Sequence, residues 1–235
     1  MPRVGGLRVV MSWPDDSQFA PRPPRPGRVR GLLAGLIGAV LLVGGGAAIG
    51  IAVLLQRHAP APSAAAAGRI GPAAGHQPSL GRSLPVEVRI PAIGVRSTLL
   101  HLGRNADGSM TVPPLATNAN DAAWYKYSVT PGQLGAAIIE GHVDSYSGPA
   151  VFFRLGALRP GNIIDVTLAD GVTAVFQVTG VREYAKDDFP ARAIYGATDY
   201  AALRLITCGG AFDQATGHYL NSVVVYAALR GRVSG

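Results

Sequence analysis

Hydrophobic positions fall into three regimes along the chain. Residues 32–55, LLAGLIGAVLLVGGGAAIGIAVLL, are apolar or glycine and carry no charge. As a helix, such a stretch would run about 36 Å, enough to cross a hydrocarbon layer of roughly 30 Å. Its glycines weaken a helix in water but are common in membrane helices, so the stretch predicts a transmembrane span. Residues 56–83 show no period and are rich in Ala, Pro and Gly, the composition of a partly stiffened linker that would hold a domain away from the membrane surface. From Leu84 the pattern changes to short β runs. LPVEVRI alternates from Val86 to Ile90, and AAIIEG at 136–141 reads as a buried strand. IIDVTLA and VTAVFQV flank Asp170-Gly171, a strong hairpin signal. LRLIT at 203–207 and SVVVYAAL at 222–229 close the series. Only VFFRLGAL at 151–158 and residues 191–202 look briefly helical. Seven or eight short strands in roughly 150 residues predict a mostly β domain, a closed barrel or a sandwich.

Charge sharpens the division. The net charge is +7, but nine arginines against two acids lie before Leu84, and twelve basic and twelve acidic residues follow it. The folded region is neutral, which argues against a nucleic-acid partner. Arg3, Arg8, Arg22, Arg25, Arg28 and Arg30 precede the apolar segment, so the positive-inside rule puts the N-terminus in the cytoplasm and the domain outside. A cleaved signal peptide is the rival reading, and APAPSAAAAG offers small-residue cleavage sites. The apolar run exceeds a signal-peptide core of about 7–15 residues, so an uncleaved anchor is expected. The expected organisation is a disordered basic cytoplasmic tail (1–31), a transmembrane helix (32–55) in the cell membrane, a linker (56–83) and a folded β domain (84–235).

Cys208 is the single cysteine, which excludes an intrachain disulfide and a cysteine-rich metal site. As a structural residue it would be a small buried hydrophobe. As a nucleophile it must react as thiolate, and an ordinary thiol with a pKa of about 8.5 needs a basic or cationic neighbour. The domain offers His101, His142 and His218. His142 in AAIIEGHVDS and Cys208 in LRLITCGG share one placement: an apolar run ends, and glycine lies beside the reactive group. If their strands are adjacent, the two strand ends meet. No ligand cluster with metal spacing and no EF-hand loop occurs, so neither metal nor cofactor is expected.

These segments carry a family resemblance. LITCGGAFDQATGHY and EGHVDSYSGPAVFFRLGALRPG resemble the Cys and His motifs of the sortases, the membrane-anchored cysteine transpeptidases of Gram-positive surfaces. RIPAIGV at 89–95, AAWYKYSVTPGQLGAAIIEGH at 122–142 and SVVVYA at 222–227 extend the resemblance over about 85–229, and the wording is most like the class F sortases of actinobacteria. The resemblance implies a sortase-type eight-stranded β-barrel with short helices. It implies Cys208 as nucleophile on an LPxTG-like sorting-signal peptide and His142 as acid and base. It implies a thioester resolved by an amine, either a cell-wall precursor or a lysine of another surface protein.

The chain departs from the family at one point. Sortases carry an arginine on the strand after the cysteine, expected here near 220–222, where Leu220, Asn221 and Ser222 stand. Arg230 falls past the expected strand. Loss of a preorganised oxyanion donor costs about 3–4 kcal/mol. Candidate replacements are the Asn221 amide, backbone N–H groups around Gly209, and Arg204, which strand alternation puts on the face of Cys208. Thr207, adjacent to the cysteine, and Asp144 are further candidates for support. Asp144 either orients His142 or caps a turn. His218 is read as structural or substrate-contacting, His101 as structural, Asp213 as a loop cap, and Trp124 and Tyr125 as barrel packing. Two alternatives remain open: a non-catalytic sortase-fold module for peptide binding or scaffolding, and a cysteine peptidase that releases product to water.

Overall fold

The computed structural model describes residues 58–72, 78–106 and 108–234. The expected tail and transmembrane helix lie outside these residues. Among the described residues no helix is long and apolar enough to cross a membrane.

Strand β1 (Pro85–Ile90) turns through a 3-10 segment and Gly94, at φ 70°, into antiparallel β2 (Val95–Leu102). The chain passes the short helix α1 (Leu115–Asn118) and returns as β3 (Ala122–Tyr125), parallel to β2. β4 (Gly135–Glu140) pairs antiparallel with β3. A two-residue ladder, β5 (Asp144–Ser145) with β6 (Gly148–Pro149), and a 3-10 turn at Leu155–Ala157 follow. β7 (Ile163–Leu168) and β8 (Val172–Ala185) form the hairpin that Asp170-Gly171 predicts. Gly171 sits at φ 83°, and the Asp170 carboxylate accepts from the Val172 N–H at 3.1 Å. A 3-10 turn at Lys186–Asp188 and helix α2 (Ala191–Tyr195) lead to β9 (Ala201–Asp213) and β10 (His218–Ser234). Eight strands close in the order β1-β2-β3-β4-β9-β10-β8-β7. The architecture is the barrel rather than the sandwich.

The barrel is filled from alternate positions. Val88, Ile90, Ile139, Phe176, Leu203, Leu205, Val223 and Val225 form its interior. Their neighbours Ile138, Ile206, Val224 and Tyr226 point outward but are also buried, under Ile194 of α2 and beside Tyr125. Strands β4, β9 and β10 therefore read as continuous apolar runs because both faces are covered. Each such side chain contributes about 1.5–3 kcal/mol by leaving water. Two expectations need correction. The brief helix ends at Tyr195, and Ala201 and Ala202 already belong to β9, where their small side chains suit a strand packed on both faces. β10 continues to Ser234, so Arg230 lies on the strand, not beyond it.

The span read as a linker is also partly structural. Ala66 is fully buried in the barrel-side cluster. The Arg69 N–H donates to the Thr179 carbonyl at 2.9 Å, and Arg182 donates to the Gly68 carbonyl at 3.3 Å. The Pro60 carbonyl oxygen lies 1.9 Å from where a Cβ on Gly156 would stand, and the Ala67 carbonyl 2.6 Å from one on Gly180. A composition that suggests freedom instead permits close backbone contact, because two of the glycines facing the segment have no side chain to hold it off. Gly156→Ala is expected to lift residues 59–61, costing about 1–3 kcal/mol. Elastase, which cuts after small residues, should then cleave the 59–67 stretch faster than in the wild type, and equal rates would show that this contact does not hold it.

Candidate active site

β4 and β9 are neighbours and run parallel, with Glu140 opposite Ile206. The Gly141 N–H extends the ladder to the Ile206 carbonyl at 3.2 Å. His142 lies two residues past Glu140, and Cys208 two residues past Ile206. The shared offset brings both to one end of the barrel on adjacent strand paths. On the other side of β9, Cys208 is opposite Ser222 of β10.

Cys208 and His142 are each 8 % exposed. His142 Nε2 lies 2.6 Å from the Pro113 carbonyl oxygen. A carbonyl can only accept, so Nε2 carries the proton and donates it, which fixes the ring. Burial pushes the Cys208 thiol up to about 11. The Lys186 ammonium, with Nζ 3.5 Å from Sγ, pulls in the opposite direction, while Asp144 and Glu140 push the thiol further up. Val143, Phe153, Thr207, Gly209 and Glu183 line a small cavity that Cys208 borders, and residues 59–61 of the N-terminal segment form one wall.

The remaining candidates are placed as follows. Asn221 pairs opposite Gly209, and its amide donates to Glu183 Oε1 at 2.7 Å. Arg204 shares the Cys208 face, but its guanidinium lies 4.6 Å over the Tyr226 ring and donates to the Tyr200 hydroxyl at 3.3 Å. Four residues of strand separate it from Cys208, about 13 Å. Thr207 points to the opposite face, buried, its hydroxyl without a hydrogen-bond partner. The Asp144 carboxylate accepts from the Tyr219 hydroxyl. Leu220 is exposed at an irregularity in the β9–β10 ladder. Arg230 lies eight residues along β10 from Ser222.

The bystanders have defined contacts. His101 Nε2 is 2.7 Å from the Pro85 carbonyl, and its ring packs edge-on against Trp124. Asp213 accepts from the Ala215 N–H and the Thr216 hydroxyl, both at 2.9 Å, and these bonds lower its pKa. His218 pairs opposite Asp213 at the mouth of that hairpin.

The residue that sequence reasoning missed is Lys186. In YAKDDFP it reads as one charge in a solvated turn. The only available signal was the register between β8 and β10, which no local pattern encodes.

The fold is a closed mixed barrel with Cys208 and His142 just past the end of the parallel β4–β9 pairing. The sortase-domain family model matches residues 88–230, and the chain belongs to the sortase family, whose members are cysteine transpeptidases. Among solved structures, sortase A of Listeria monocytogenes is 16 % identical, with 65 % of this chain and 90 % of that one covered at a TM-score of 0.47. Sortase A of Corynebacterium diphtheriae is 19 % identical, with 64 % and 62 % covered at 0.47. Sortase C1 of Streptococcus agalactiae is 18 % identical, with 68 % and 71 % covered at 0.48. No curated protein matches the chain.

Proposed function

We propose that this protein is a membrane-anchored, class F-like sortase that cleaves an LPxTG-like sorting signal through a Cys208 thioester and transfers it to an amine. The observation that carries the reading is the parallel register of β4 and β9, which delivers His142 and Cys208 to one barrel end. The 32–55 segment supplies the anchor, and the catalytic domain faces the cell exterior.

The chemistry starts from the neutral thiol, because burial raises its pKa and keeps it protonated at neutral pH. His142 accepts the thiol proton as sulfur attacks the threonine carbonyl carbon. The carbonyl π pair moves to oxygen, giving a tetrahedral intermediate. Its collapse breaks the C–N bond, and the His142 imidazolium gives its proton to the leaving amine. The thioester then meets the acceptor amine, which loses a proton to His142 and forms the new amide. The proton passes back to the departing sulfur. With Nε2 donating to Pro113, the ring nitrogen that serves this cycle is Nδ1.

The test is intact-mass spectrometry of the full chain with a panel of LPxTG-type peptides, with and without an amine acceptor. Wild type is expected to show a peptide adduct and, with amine, a ligated product, whereas Cys208→Ala shows neither. Cleavage without ligation at any amine concentration would make the protein a peptidase. A folded wild type that binds peptide without adduct or cleavage would make it a binding module.

A further inference from the structure

We propose that Lys186 is a catalytic residue, its ammonium carrying the positive charge against which the Cys208 sulfur becomes anionic, in the absence of an arginine at 220–222. The inference rests on Cys208 being the reactive group of the proposed sortase.

The contact is direct, with Nζ 3.5 Å from Sγ. It follows from three adjacent strands. Tyr184 of β8 is opposite Ser222 of β10, and Ser222 is opposite Cys208 of β9. Two interstrand spacings of about 4.8 Å separate the outer pair. β8 ends at Ala185, and the 3-10 turn starting at Lys186 directs the side chain across β10. In the register Ser222 stands between Tyr184 and Cys208, 1 % exposed and among the smallest side chains available. The residue that leaves the strand without an arginine also leaves room for the lysine.

The surrounding charges give the cation something to oppose. Asp144 of β5 disfavours a negative sulfur, and so does Glu140 of β4 once it ionises above about pH 8. Glu183 of β8 is engaged by Asn221, and the Tyr219 hydroxyl of β10 by Asp144. His142 is tied to Pro113. Asp187 and Asp188 lie in the lysine's own turn, exposed. In the attack step Lys186 neither gains nor loses a proton. The thiol proton goes to His142, the sulfur lone pair forms the C–S bond, and the ammonium stabilises sulfur while its proton is departing.

Iodoacetamide provides a probe that needs no sorting signal. Alkylation of Cys208 in the full chain would be followed from pH 6 to 11 for wild type, Lys186→Met and Lys186→Arg, with urea midpoints as the folding control. An opposite charge at this distance moves a pKa by about 1–3 units, partly offset in rate by the greater nucleophilicity of a more basic thiolate. Lys186→Met is therefore expected to slow alkylation at pH 8 on the order of tenfold and to shift the profile to higher pH, while Lys186→Arg stays near wild type. The peptide adduct should form more slowly in the same order. Equal alkylation profiles in folded wild type and Lys186→Met would overturn the proposal. A chain inert to every peptide that still shows the alkylation shift would refute the transpeptidase reading and leave the lysine–thiol pairing intact. A chain that acylates equally with and without the lysine would refute the lysine's role and leave the transpeptidase intact.

Discussion

His142→Ala is expected to slow cleavage of an LPxTG-type peptide by about 10²–10⁴-fold, the usual contribution of a positioned acid–base group. An amide leaves poorly as an anion, so its nitrogen must be protonated as the C–N bond breaks. The buried thiol, raised to about 11, also needs an acceptor for its proton. Alanine removes both functions together with the bond to Pro113. A structural role and a chemical role separate with a second substrate. A peptide thioester of the same sequence has a leaving group that departs without protonation. His142→Ala should therefore lose much less rate on the thioester than on the amide. Equal losses on the two substrates would mean that the ring only holds the strand end in place.

Glu140→Gln is expected to raise stability at alkaline pH by several kcal/mol. Glu140 is 3 % exposed, and burial pushes its carboxyl up to about 8, so it is protonated in the folded chain at neutral pH. The unfolded chain releases that proton near 4.5. Between these values the unfolded state binds fewer protons, and stability falls as pH rises. The loss approaches about 4–5 kcal/mol above pH 8, at 1.36 kcal/mol per unit. Glutamine keeps the shape of the neutral carboxyl and does not titrate. Urea midpoints should coincide at pH 4.5 and diverge in favour of Glu140→Gln by pH 8. Cys208 adds a slope of the same sign only above about 9, so this window isolates Glu140. Parallel midpoints from pH 4.5 to 8 would show that the carboxyl ionises freely in the folded state.

The strands that alternate or run apolar were legible residue by residue. Val86–Ile90, Ala136–Glu140 and the Asp170-Gly171 hairpin carry their own local signals. The ends of β8 and β10 were not, because their outer turns are held by cross-strand pairing and not by their own periodicity. Residues 58–72 misled for a related reason. Alanine, proline and glycine have the composition of a free linker, but small residues also pack closely against a groove, and only the groove decides between the two.

The candidate site divides the same way. Cys208 and His142 could be singled out by residue type, glycine neighbours and position at the ends of apolar runs. Asn221 and Arg204 were reasonable donors by alternation alone, yet the tertiary structure engages the first with Glu183 and stacks the second on Tyr226. Sequence by itself determined the strand set, the candidate Cys208 and His142 positions at strand ends and the gap where an arginine was expected, because each depends on residues within a few positions of one another. The parallel β4–β9 register and the approach of Lys186 to Cys208 were decided only by tertiary structure. Both join segments distant along the chain, and strand order in a closed barrel is set by how the whole core packs.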